Sequence, residues 1–124
     1  MEAGKRDERR RDLRVEWRVN ARCRLVESDD SIILGETENI SAGGALIAKE
    51  RAARVGEQVA VEIVSSDPPV VVRRLAKVVR DCGKDGDGRV REAFAFEGGS
   101  AQARAQLLAA LITVASRGGQ RPPR

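Results

Sequence analysis

Apolar and polar residues alternate without interruption from Val15 to Leu25, with Val15, Trp17, Val19, Ala21, Cys23 and Leu25 on one side and Glu16, Arg18, Asn20, Arg22 and Arg24 on the other. A period of two marks an extended strand that buries one face and wets the other. The polar segment Glu27 to Ser31 predicts a turn. Ile32 to Leu34 and then Thr37 to Ile40 predict a returning strand, bulged near Gly35, and hence an antiparallel hairpin. Such a hairpin carries Asn39 and Ser41 back toward Arg14 despite their separation in sequence.

The same pattern recurs along the chain. Ala45 to Ala48 predicts a short strand, and Lys49 to Arg54 a single helical turn. Gln58 to Val64 alternates around Val59, Val61 and Ile63, and the run Ser65 to Pro69 interrupts it. Val70 to Asp81 predicts a strand with a basic face at Arg73, Lys77 and Arg80, and Cys82 to Gly88 a hairpin loop. Asp85-Gly86-Asp87-Gly88 lacks the spaced carboxylates and closing glutamate of a calcium loop, so a plain turn is expected. In the last strand Val90, Glu92, Phe94 and Phe96 share one side and Ala93 and Ala95 the other.

After Gly98-Gly99 the period changes. Ser100 offers an N-cap, and Leu107, Leu108, Leu111, Ile112 and Ala115 follow helical spacing until Gly118-Gly119. Six short strands and one terminal helix predict a mainly β fold, a small six-stranded antiparallel β-barrel with a C-terminal α-helix packed on the sheet or closing an open end. The chain is expected to divide into a flexible Arg-rich N-terminal arm at 1–14, the barrel and helix at 15–116, and a disordered tail at 117–124.

Composition narrows the function. The 124 residues fit one domain, and with Trp17, Phe94 and Phe96 as the only aromatics the core must be built from Val, Ile, Leu and Ala. Of the charge, residues 1–24 hold nine Lys/Arg against five Asp/Glu, while the remaining hundred hold fourteen of each. A local cluster of this kind suits a small anion better than a chain-wide basic coat for nucleic acid. There is no histidine, and no Ser, Cys or Asp is set beside a base as a nucleophile requires, so an enzyme is not expected. Cys23 and Cys82 fall outside any Cys-x-x-Cys pair, so buried reduced thiols are expected and no metal. No apolar h-region or membrane-length run appears, and a cytoplasmic location is expected.

The candidate chemistry lies in two motifs. Arg9-Arg10-Arg11-Asp12-Leu13-Arg14 supplies guanidinium forks, which suit phosphates and the O6/N7 edge of guanine. Asn39-Ile40-Ser41-Ala42-Gly43-Gly44 supplies a short polar turn. Taken singly, Asn39 and Ser41 suit a hairpin cap, Gly43 and Gly44 a positive φ, and Arg14 an ion pair with Glu16 or Glu38. Together, Arg10-x-x-x-Arg14 and Asn39-x-Ser41-x-x-Gly44, each at a strand edge, resemble the paired signature of the PilZ domain, a bacterial receptor module for cyclic di-GMP. The resemblance spans nearly the whole chain, with Ala93-Phe94-Ala95-Phe96 in the place of the family's late Gly-x-x-Phe strand. It departs at Ala93, where the added methyl is expected to bear on packing rather than on ligand.

What the resemblance implies is a non-enzymatic receptor with no cofactor. Arg10 and Arg14 are then the main cyclic di-GMP contacts and Arg9 a third, Asn39 meets a guanine edge as a neutral amide, and Ser41 meets a phosphate or the turn backbone. Gly44 permits close approach and Gly43 tunes the same turn. Three consecutive arginines favour an intercalated ligand pair over a single molecule. Binding is expected to order the arm and create a surface for an effector protein that the sequence does not name, with no specific nucleic acid involved. Two rivals stand beside this: a PilZ-fold interaction module that binds no nucleotide, and a small basic nucleic-acid binder using Arg18, Arg22 and Arg24.

Overall fold

The first alternating stretch is not one strand but two. In the computed structural model, which describes residues 13–27 and 32–117, β1 (Val15–Glu16) and β2 (Asn20–Leu25) both pair antiparallel with β3 (Ile32–Ser41). Of the turn expected at Glu27 to Ser31, residues 28–31 lie outside the described residues. The inward positions still alternate through the break, since Val15, Trp17, Ala21 and Cys23 are all buried. Between Glu16 and Asn20 this strand holds one residue more than β3 does opposite it, and β3 has its own bulge, at Glu38 against β4, three residues beyond the site expected at Gly35.

Thr37 holds this break together. Its buried hydroxyl donates to the Trp17 carbonyl and accepts the Val19 N–H at 3.0 Å, while its backbone N–H donates to the Val19 carbonyl at 2.9 Å. Thr37→Val keeps the shape and removes both hydroxyl bonds, leaving a backbone N–H and C=O unpaired. It is expected to cost ~1–3 kcal/mol. Urea denaturation checks this, with Thr37→Ser, which keeps the hydroxyl, as the milder variant.

β4 (Gly44–Lys49), β5 (Gln58–Ser66), β6 (Pro69–Lys84) and β7 (Val90–Glu97) complete the sheet. Pairing runs β3-β2-β5-β6-β7-β4, and β4 returns to β3, so six strands close a barrel and β1 lies outside it on the end of β3. Closure removes the free edges that an open sheet presents to other chains. β5 and β6 run past the predicted break at Ser65 to Pro69 and meet across the two residues Asp67 and Pro68.

Lys49 to Arg54 forms no helical turn. Lys49 is the last residue of β4, and its side chain is wholly buried inside the barrel in an ion pair with Glu92 of β7, the two being 0% and 1% exposed. Glu92 also accepts the Ala53 N–H at 3.2 Å, and Glu50 donates its N–H to the Leu34 carbonyl at 3.2 Å. These ties to two strands hold the segment in an irregular path. Lys49 Nζ further lies 4.9 Å from the Phe94 ring centroid, a favourable cation–π placement.

Helix α1 (Ala101–Ser116) begins where expected, with Ser100 Oγ accepting the Ala103 N–H at 3.0 Å. Its buried positions are Leu107, Ala110, Leu111 and Val114, one stripe at helical spacing. Ile112 and Ala115, expected on that stripe, are exposed instead. The stripe joins Trp17, Ile40, Ile47 and Ile63 in one continuous apolar core that the helix caps. Cys23 lies in this core, where desolvation pushes its thiol up to about 11, so it stays protonated and unreactive. Cys82, in contrast, is only partly buried, and both cysteines are free.

Candidate functional site

Two bulges shape one wall of the barrel. In β3 the extra residue Glu38 shifts the register between Thr37 and Asn39, so Thr37 and Ile40 both point inward and Asn39 turns out. β6 repeats the device: Val72, Arg74, Ala76 and Val78 are buried, the register shifts at Val79, and Arg80 turns out opposite Ala93. Strict alternation would send Asn39 after Thr37, and Arg80 after Val78, into the core. The bulges instead put Asn39, Leu46, Ala93 and Arg80 in a single cross-strand row over β3, β4, β7 and β6. The neighbouring row is Ser41, Gly44, Ala95 and Lys77.

Over these rows opens a cleft of about 410 Å³ in which Arg14, Asn39, Ser41, Gly43 and Gly44 come together, with Arg80 across from them. Its volume falls in the ~300–1,000 Å³ range of small-molecule sites. β1 delivers Arg14, because Val15 and Glu16 pair with Ile40 and Asn39. Arg9 and Arg10, the other two arginines singled out from the sequence, lie outside the described residues. Sequence reasoning left Leu46, Val79, Arg80, Ala93 and Ala95 out of the site, and Ala93, expected to bear on packing only, forms part of its lining.

The glycines play different parts from those their motif suggests. Neither Gly43 nor Gly44 adopts a positive φ. A Cβ on Gly44 would lie 2.1 Å from the Phe94 carbonyl oxygen, so the space above Gly44 is filled by the neighbouring strand, and glycine there permits the β4–β7 pairing that floors the cleft. Gly43 faces open space and accepts the Phe96 N–H at 2.8 Å through its carbonyl. Ser41 Oγ lies 3.4 Å from the Gly44 carbonyl, to which it donates a long hydrogen bond.

The cleft is cationic. Among the described residues neither Arg14 nor Arg80 makes a hydrogen bond or ion pair through its side chain. Glu38, one of the two acids that the sequence offers to Arg14, is held by Arg91 in a two-pronged pair at 2.8 and 2.9 Å. That bond raises the Arg91 pKa above its usual value, and it engages both oxygens of the Glu38 carboxylate. These two guanidiniums, unpaired among the described residues, a neutral amide and a backbone turn have the chemistry that suits a planar, hydrogen-bonding anion. No group of three His, Cys, Asp or Glu among the described residues is placed to hold a metal, and no helix among them is long and apolar enough to cross a membrane.

The sequence profile of the PilZ domain matches residues 8–113. The chain belongs to the PilZ domain family. Solved PilZ structures share its fold. The PilZ domain of YcgR from Escherichia coli, determined with c-di-GMP, has a TM-score of 0.72 at 19% identity, over 89% of this chain and 94% of that one. The PilZ domain of CeSA from a cellulose-synthesizing bacterium gives 0.61 at 18% identity, over 82% and 97%. The Bacillus subtilis inhibitor of motility, MotI/DgrA, gives 0.71 at 18% identity over 89% of this chain and 52% of its own. At these identities the likeness is one of fold. No curated protein matches the sequence.

Proposed function

We propose that this PilZ domain is a non-enzymatic receptor for cyclic di-GMP that passes the binding event to a partner protein. The observation that carries this reading is the convergence of Arg14, Asn39, Ser41 and Gly43 on one cationic cleft, with Arg9 and Arg10 a few residues upstream of Arg14. Arg14 and Arg10 clasp the Hoogsteen edges of guanine or the phosphates, and Arg9 adds a third fork. Asn39 meets a guanine edge, and Ser41 gives up its long bond to Gly44 to serve a phosphate. Arg80, across the row from Asn39, supplies a guanidinium plane on which a base can stack. The ligand draws the segment carrying Arg9 and Arg10 onto the wall and so builds a composite surface of chain and nucleotide. The chain contains no histidine, and its role is binding alone.

Isothermal titration with cyclic di-GMP tests the reading, with GTP as control and the Arg10→Ala, Arg14→Ala double variant beside the parent. Losing two charge-assisted contacts is expected to cost about 3–6 kcal/mol, or roughly 150- to 20,000-fold in affinity. The titration also gives the stoichiometry, for which an intercalated pair is the expected value. Absence of heat with the parent, together with unchanged amide shifts from Asn39 to Gly44, would sink the proposal and leave an interaction module without nucleotide.

A further inference from the structure

The wall opposite the cleft carries a second concavity, about 460 Å³, on the outer face of β2, β5 and β6. Register sets Leu34, Arg22, Glu62 and Arg73 in one row across β3, β2, β5 and β6. The next row is Ile32, Arg24, Ala60 and Leu75. Branched aliphatic side chains stand in the open here, with Ile32 49%, Leu34 55% and Leu75 46% exposed. Val64 and Val71, cross-strand partners beside the first row, extend the patch and are 48% and 51% exposed. Aliphatic side chains thus stand exposed on β3 and on β5–β6, with the arginines of β2 between them, an arrangement that marks a surface able to meet a partner.

The charge on this face selects its occupant. Glu62 is consumed by Arg73, whose Nε donates to it at 2.7 Å and holds its carboxyl below the usual range. Arg22 and Arg24 make no side-chain hydrogen bond or ion pair among the described residues, although Arg22 also helps to hold the Glu62 carboxyl down, so three arginines share one carboxylate and the face is net positive between its aliphatic side chains. A second copy of the chain would set these arginines against their own kind. Nucleic acid would meet the charge but leave the aliphatic ridges unused, and the face offers no aromatic ring for a base to stack on. A free strand cannot add to the sheet, because β2, β5 and β6 are paired on both edges.

We infer that the outer face of β2–β5–β6 docks an acidic, aliphatic-bearing segment of a partner protein, laid across the strands with its carboxylates on Arg22 and Arg24 and its apolar side chains between Leu34 and Leu75. This deepens the adaptor part of the proposed function and rests on it, but the surface is separate from the nucleotide cleft. Its test is therefore separable. β3 and β6 run through both walls, Ile32 and Leu75 lining this one and Asn39 and Arg80 the other.

The experiment is an amide NMR titration of the isotope-labelled protein, with and without cyclic di-GMP. The probes are a short peptide alternating glutamate with leucine, poly-glutamate, a peptide alternating lysine with leucine, and a mixed-sequence DNA duplex. The expected result is saturable shifts at Arg22, Arg24, Ala60 and Glu62 with the glutamate–leucine peptide. Arg22→Glu plus Arg24→Glu, or Leu34→Ser plus Leu75→Ser, should weaken them by roughly tenfold or more while the rest of the spectrum stays native. Equal binding of poly-glutamate or the lysine–leucine peptide, stronger binding of the DNA at the same amides, or no shift at this face would each overturn the inference. Nucleotide binding is read at a different set of amides, Asn39 to Leu46, so failure of one claim is told apart from failure of the other.

Discussion

Lys49→Met lowers the unfolding free energy by about 3–5 kcal/mol, because it strands the Glu92 carboxylate in a closed apolar interior. Both partners of this pair are wholly buried, and the barrel offers Glu92 no other cation among the described residues. Glu92→Gln strands Lys49 in the same way, with only the Phe94 ring left beside its ammonium group. The double variant Lys49→Met, Glu92→Gln removes both charges yet keeps an amide oxygen for the Ala53 N–H that Glu92 now accepts. It is expected to recover most of the loss, whereas Lys49→Met with Glu92→Leu recovers less, since the buried Ala53 N–H goes unpaired at a cost of ~1–3 kcal/mol. Urea denaturation of the four proteins forms a double-mutant cycle. Additive losses would show that the two charges are solvated separately and that the interior is wetter than the structure indicates.

The second large effect is at Gly44. Alanine there places a methyl 2.1 Å from the Phe94 carbonyl oxygen and 3.2 Å from its carbon, which only separation of β4 from β7 can relieve. Overpacking of this kind costs roughly 1–3 kcal/mol or more, and here it also distorts the floor of the cleft. Gly43→Ala is the control one residue away: its Cβ meets nothing within 4 Å, so stability should change by no more than about 0.5 kcal/mol. Its methyl instead projects where the ligand is proposed to lie. Thermal melts and cyclic di-GMP titrations therefore separate the pair, with Gly44→Ala losing both stability and binding and Gly43→Ala losing binding alone. Equal melting temperatures would refute the strand-packing role assigned to Gly44.

Periodicity carried the architecture well because the barrel is built from repeated half-buried strands, and a period of two survives any local irregularity. Of the six positions that the alternation puts inward, Val15, Trp17, Ala21 and Cys23 are buried and Val19 and Leu25 partly so, although the strand breaks between Glu16 and Asn20. Illegible were the features that depend on a partner strand. The bulge at Glu38 arises from pairing with β4, and nothing local distinguishes Glu38 from Glu36. Lys49 and Glu92 are 43 positions apart, and each alone has the look of a solvated charge. Helical spacing placed Ile112 on the buried stripe, but which face of α1 meets the barrel is decided by the neighbouring strands.

The candidate site was legible to the extent that its residues are chemically unusual. Arg14, Asn39, Ser41, Gly43 and Gly44 were singled out together, and they do share a cleft. Arg80 escaped as a site residue because it was grouped with Arg73 and Lys77 on one basic face, and only the bulge at Val79 turns it toward Asn39. Leu46 and Ala93 escaped because small aliphatic residues carry no chemical signal until the register sets them between two polar ends.

By each absorbing one residue outside the ladder, Glu38 and Val79 uncouple what the barrel keeps inside from what it displays. The row Asn39, Leu46, Ala93, Arg80 can be rewritten without touching a core side chain, and the core can drift without moving the row. The domain thus behaves as a fixed socket with an exchangeable face, whose chemistry can change at little risk to folding.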